Sequence, residues 1–172
     1  VDSLVIDAGA NWRGYGSDIT RTWLRNGADP EFAELLQRMD LLQRGLCDQV
    51  HSGRSWPELH QLAVQRIASL LCEVGIIAGS AEAAVESGAA RLFFPHGLGH
   101  LLGLQVHDVG GTLGDADGAT LARPALDPAL RLTRHLETNM VVTMEPGLYF
   151  IPTLLGPARS TATGRNIDWV RV

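Results

Sequence analysis

Lysine is absent from these 172 residues, so all 14 basic side chains are arginine. We read that as coding bias without mechanistic weight. Against 19 acidic residues the formal net charge is −5, and the arginines are scattered rather than run together. That balance excludes sequence-independent nucleic-acid binding as the main activity. No stretch of eighteen apolar residues occurs, and no leader pattern opens the chain, so the sequence points neither to a membrane nor to export. Cysteine is scarce too: Cys47 and Cys72 have no CxxC partner and fall within apolar helical patterns. They read as buried free thiols, in line with a cytoplasmic location. The first residue is Val1, not Met, which implies processing or a longer parent protein.

What is present describes an ordinary globule. With 45% hydrophobic and 19% charged residues, a chain of this length forms one domain over residues 1–172 and buries about 70% of its unfolded surface. SLVIDA (3–8) and SDITRTWL (17–24) carry the alternation and β-branching of strands. The glycine-rich GANWRGYG between them predicts a hairpin. Asp29-Pro30 reads as an N-cap followed by a first-turn proline, opening a helix over 30–50 with Phe32, Leu35, Leu36, Met39, Leu42 and Leu46 at helical spacing. Ser55 and Glu58 suggest a capping box before a second helix over 56–74, ended by Gly75. A shorter helix is predicted near 80–91. Mixed strand and loop follow over 92–111, then a polar excursion over 112–138. A strand over 139–151 is broken at Pro146-Gly147, and the tail from 152 has little pattern. Two helices between β-rich ends make this an α+β chain.

Four short segments carry the chemistry: Asp7 in a DAG with Asp18 eleven residues on, PHGLGH (95–100), QVHD around His107, and TMEPG around Glu145. Each sets a carboxylate or imidazole beside a glycine or proline that governs the backbone. Taken alone, a structural carboxylate is the stronger reading for either aspartate, with Arg21 an alternative partner for Asp7. Opposite arms of one hairpin would let both reach the same face. His96, His100 and His107 put three of the chain's six histidines within twelve residues, which favours a ligand or substrate role for the cluster. The small residues at 97, 99 and 103 allow a close backbone approach to another strand or to a ligand. Glu145, between an apolar run and a rigid turn, reads as half-buried: a base if unpartnered, a ligand if a metal holds it. The set suits a pair of divalent metals.

In this order the segments resemble the pita-bread metallopeptidases: methionine aminopeptidase, aminopeptidase P and prolidase. VIDAGANWRGYGSDITRTW, PHGLGHLLGLQVHDVGG and MVVTMEPGLYFIPTLL are most similar to the bacterial Xaa-Pro dipeptidases (prolidases), and the likeness runs over essentially the whole chain. It implies a pita-bread fold and a two-metal site, with Mn²⁺ the expected metal. Asp7 would bind one metal and Asp18 would bridge both; His100 and Glu145 would hold the second. His96 and His107 would line the substrate pocket and support the tetrahedral intermediate. Hydroxide bridging the metals would attack the Xaa-Pro carbonyl of a small peptide while Glu145 shuttles its proton.

The chain departs from that pattern at both ends. The second bridging glutamate of a GIRIED-like segment is missing, and Asp168 in NIDWVRV is not its equivalent. The upstream pocket histidine and the N-terminal domain are likewise outside the sequence. The expectation is therefore a catalytic domain truncated at both ends, severely impaired as it stands, with an exposed sheet edge and a tendency to form homo-oligomers. Two other readings stay open: a non-catalytic binding or assembly domain, and hydrolysis of organophosphate esters at the same site.

Overall fold

The computed structural model describes residues 3–114 and 117–172. Its elements run β1 (Ser3–Ala8), β2 (Asn11–Trp12), β3 (Tyr15–Gly16), β4 (Ile19–Leu24), α1 (Pro30–Cys47), α2 (Trp56–Glu73), α3 (Ala81–Glu86), α4 (Ala89–Phe93) and α5 (Pro152–Ala158). The α+β class expected from the sequence holds. Two compact units emerge, Val1–Leu59 with His96–Glu145 and His60–Pro95 with Pro146–Val172. No helix among the described residues is long and apolar enough to cross a membrane.

In the first unit, β1 pairs antiparallel with β4, with Asp7 opposite Thr20 and Leu4 opposite Trp23. The turn at the tip is sharp because Arg13 and Gly14 both adopt positive φ (53° and 89°), the conformation of a two-residue hairpin loop whose twist matches its strands. Asn11 secures the turn by accepting the Gly14 N–H. Side-chain alternation gives the ribbon two unlike faces. Leu4, Ile6, Ala8, Ile19 and Trp23 share one with Arg21, while Val5, Asp7, Thr20 and Thr22 share the other. Helix α1 opens as its sequence dictates: the Asp29 carboxylate accepts the N–H groups of Glu31 and Phe32, and Pro30 fills the first turn. Leu35, Leu46, Trp56, Leu59, Leu98, Leu130, Leu132 and Leu136 are buried in this unit. The 112–138 excursion is tied down by backbone pairing of Gly53, Arg54 and Trp56 with Leu136 and Arg134.

The second unit is built on most of α2, whose Ala63, Val64, Ile67, Ala68 and Leu71 are fully buried. Gly75, at φ 74°, ends the helix run as a left-handed cap. The short helix predicted near 80–91 is present as two pieces, α3 and α4, because Gly88 takes φ 79° between them. Residues 76–78 pair with 166–168 through an antiparallel bridge at Ile77 and Ile167. The Arg171 guanidinium donates to the Val74 carbonyl.

Three expectations need correction. The strand over 139–151 is not a regular strand, because its partner segment is broken by glycines; only a single bridge, Leu101 with Val142, and a few ladder bonds remain. The tail is not featureless: Pro152 starts α5, which the sequence signalled only by a first-turn proline. The cysteines are free thiols but not buried ones: Cys47 is exposed and Cys72 half-buried. Partial burial still raises both thiol pKa values, helped at Cys47 by the charge of Asp48.

Candidate metal centre

Three chain segments bring ligand atoms to one point. Asp18 lies just before β4, at the end of the β1–β4 ladder nearest the turn. His100 ends the PHGLGH segment. Glu145 follows the run 141–144, which pairs with 98–102. Leu102 N–H donates to Val141, Thr143 N–H to His100, and Glu145 N–H to Leu98, each at 2.8–3.0 Å. This irregular ladder sets His100 and Glu145 side by side. It needs the glycine between them: a Cβ at Gly99 would stand 2.2 Å from the Thr143 carbonyl oxygen. The small residues at 97 and 103 serve close packing too, against Leu130 and the Asp108 carboxylate. All three glycines approach protein.

His100 Nε2 lies 3.0 Å from Glu145 Oε1 and 3.2 Å from Asp18 Oδ2. The ring is buried, with 6% of its side chain exposed. Its Nδ1 is 2.9 Å from the Leu101 carbonyl oxygen. A carbonyl only accepts, so Nδ1 carries the proton and donates it, leaving Nε2 with a lone pair in the neutral ring. Nε2 and Glu145 Oε1 are both buried, and among the described residues neither has a hydrogen-bond partner although they face each other. A lone pair aimed at two carboxylate oxygens is repulsive. The rival arrangement, an imidazolium between two carboxylates, asks for hydrogen bonds that this geometry does not make. A cation among the three atoms resolves the conflict. Ligand atoms of Asp18, His100 and Glu145 lie within 4.8 Å of one another, and two carboxylates with a neutral imidazole balance a divalent ion. One nitrogen and several oxygens suit a borderline to hard metal, and the Nδ1–H to carbonyl bond is the usual device for orienting such a histidine.

Asp7 is exposed on β1 and is not part of the three-residue cluster. Register puts it opposite Thr20, on the face that contains residues of even number in β4, the parity of Asp18. Arg21 turns to the Thr20 carbonyl rather than to Asp7. His107 is exposed, its ring edge-on to His100 with centroids 4.5 Å apart. His96 is half-buried and donates from Nδ1 to the Gly97 carbonyl at 2.8 Å. One residue escaped the sequence reading. Buried Thr143, two positions before Glu145, hydrogen-bonds the backbone of His100; the only signal for it was a hydroxyl inside an otherwise apolar run.

The family model for metallopeptidase family M24 matches residues 1–168. The chain belongs to that family. Among curated relatives it is 47% identical over 170 residues to the Xaa-Pro dipeptidase of Stenotrophomonas maltophilia, covering 99% of this chain and 38% of that protein. It is 46% identical to the Xaa-Pro dipeptidase of Photorhabdus laumondii, of which it covers 39%. It therefore spans less than two fifths of the length of these relatives. Among solved structures, zinc-substituted Escherichia coli aminopeptidase P in complex with product is similar at TM-score 0.72 and 32% identity, over 96% of this chain and 33% of that one. A glutamate-to-alanine variant of the same enzyme, in complex with substrate, gives 0.71 and 34%, over 87% and 31%. The fold is the pita-bread fold of these M24 enzymes.

Proposed function

We propose that this chain carries the metal-binding part of an Xaa-Pro dipeptidase, a hydrolase that cleaves the bond before a C-terminal proline. One observation supports it above the rest: the buried Nε2 of His100, without a hydrogen-bond partner among the described residues, facing two carboxylates. Asp18, His100 and Glu145 would hold one divalent cation. Asp7, on the same face of the ribbon as the parity of Asp18, would supply the second cation's further oxygen, with Asp18 shared between them. Bound divalent cations supply two things here: a water made acidic enough to react at neutral pH, and polarisation of the scissile carbonyl.

The remaining work belongs to side chains of this chain. Glu145, with 35% of its side chain exposed, can take a proton from the attacking water on a carboxylate oxygen. It can then pass that proton to the departing proline nitrogen, which leaves as a secondary amine. His107, exposed beside His100, is available to donate to the substrate carbonyl as charge builds there. His96, its ring fixed by the Gly97 carbonyl, would line the pocket. Mn²⁺ fits a donor set dominated by oxygen, and the two unpaired thiols accord with a reducing cytoplasm. Self-association of the chain belongs to the same reading, carried by the exposed apolar face of the hairpin.

A second reading has its own support. The three-residue cluster offers ligand atoms for one cation and Asp7 is not part of it, so cation binding with little or no hydrolysis fits this chain by itself. Metal content after equilibration with Mn²⁺ and desalting, together with turnover of Ala-Pro, separates the two. About two metals per chain with measurable turnover supports the dipeptidase reading. About one metal without turnover supports a binding site that needs further groups. Zero metal, or equal metal content in His100→Ala, overturns both.

A further inference from the structure

Thr143 offers no atom to the cluster, yet it governs where His100 sits. It is buried, 7% exposed. Its Oγ1 accepts the His100 backbone N–H at 3.0 Å and donates to the His100 carbonyl at 3.4 Å. The Thr143 N–H donates to that same carbonyl at 3.0 Å. A hydroxyl has one hydrogen and two lone pairs, so it can make both side-chain bonds together. One residue thus grips both polar groups of the His100 backbone, and the chain that continues from it reaches Glu145 two residues later. Gly99 leaves the space for this grip, since any Cβ there would also meet Thr143 Oγ1 at 2.9 Å.

We propose that Thr143 is a positioning residue for cation binding, its hydroxyl holding His100 Nε2 at the correct reach from Asp18 and Glu145. The claim rests on reading the cluster as a metal site. A threonine kept only for its volume would behave differently, because valine has nearly the same shape and packs equally well. Replacement by valine removes the hydroxyl and leaves the Thr143 N–H as the one bond from residue 143 to the His100 backbone, with the His100 N–H no longer held. Residues that orient a ligand from behind typically contribute ten- to hundred-fold in metal affinity.

The test compares the wild-type chain with Thr143→Val and Thr143→Ser. Co²⁺ is titrated while its visible absorption bands are followed, and exchange of the His100 amide hydrogen is measured by NMR without metal. Thr143→Val should bind Co²⁺ ten- to hundred-fold more weakly, with altered bands and faster His100 exchange. Thr143→Ser, which keeps the hydroxyl, should stay within a few-fold of wild type in all three. Equal affinity and unchanged bands in Thr143→Val overturn the proposal, as does a serine variant as impaired as the valine one. Should circular dichroism show Thr143→Val unfolded, Thr143→Ala takes its place with the same criteria. A wild-type chain that takes up no Co²⁺ overturns the metal reading itself. The positioning claim is then decided by the His100 amide, and unchanged protection in Thr143→Val ends it.

Discussion

Two glycines, Gly9 and Gly99, each stand beside a residue gripped by a hydroxyl across the way. A Cβ at Gly9 would come within 1.9 Å of the Ser17 carbonyl oxygen, as one at Gly99 would come within 2.2 Å of Thr143. Ser17 Oγ accepts the Ala10 N–H at 2.9 Å and donates to the Ala10 carbonyl at 3.4 Å, while the Ser17 N–H donates to that carbonyl at 2.9 Å. Thr143 makes the same three bonds to His100. Asp18 follows the serine directly, so one device grips the backbone of a candidate ligand and the other fixes the residue beside one. Neither contact is relieved by moving a flexible side chain, because the obstructing atoms are backbone. Gly99→Ala should therefore force the two segments apart, costing about 1–3 kcal/mol as overpacking does and abolishing cation uptake. Thermal unfolding with and without Co²⁺ checks it: wild type should gain stability from the metal and the variant should not. A metal-induced rise in melting temperature equal to that of wild type would defeat the argument.

At the scale of the element, the parts that read most clearly from the sequence are those whose hydrogen bonds close locally. Asp29 with Pro30 announces α1, and the structure has the carboxylate on the N–H groups of Glu31 and Phe32. Asp29→Ala should lower stability by about 1 kcal/mol, the usual worth of an N-cap. Asp29→Ser should recover most of it, and a loss under about 0.3 kcal/mol in urea unfolding would deny the cap its role. The hairpin is equally readable, from alternation in both arms and the glycine-rich GANWRGYG between them. Residues 139–151 were not, because their apolar, β-branched run resembles a strand whether or not a regular partner exists. Here the partner is 98–102, where glycines 99 and 103 keep the pairing to scattered bonds. The carboxylates and histidines of the centre were visible as residue types, but their meeting point was not. Asp18, His100 and Glu145 are far apart in sequence and are joined only by pairings that no local pattern encodes. Thr143 was invisible for the same reason: a threonine in a β-branched run looks like strand propensity until its partner is known.

At the scale of the whole molecule, the hairpin presents a surface that a lone chain covers poorly. Leu4, Ile6, Ile19 and Trp23 share one face of the ribbon and are 57%, 44%, 54% and 49% exposed. Single exposed apolar residues are ordinary, but a contiguous set on one side of a two-stranded ribbon marks a surface that favours contact. A two-stranded ribbon is also marginal without something to pack on, so covering this face stabilises the element that carries Asp7 and leads into Asp18. Among the described residues of β1 and β4, Arg21 alone interrupts the apolar face with charge, which is weak protection against pairing with another copy. The chain should accordingly sediment as dimers or larger species at tens of micromolar. Trp23→Glu should shift it toward monomer by placing a carboxylate in the middle of that contact. Because Trp23 lies on the face opposite Asp7, the substitution should leave Co²⁺ uptake within a few-fold of wild type. A wild-type chain that sediments as monomer throughout this range would refute self-association through the hairpin. Loss of Co²⁺ binding in Trp23→Glu would instead mean that the two faces of the ribbon do not act independently.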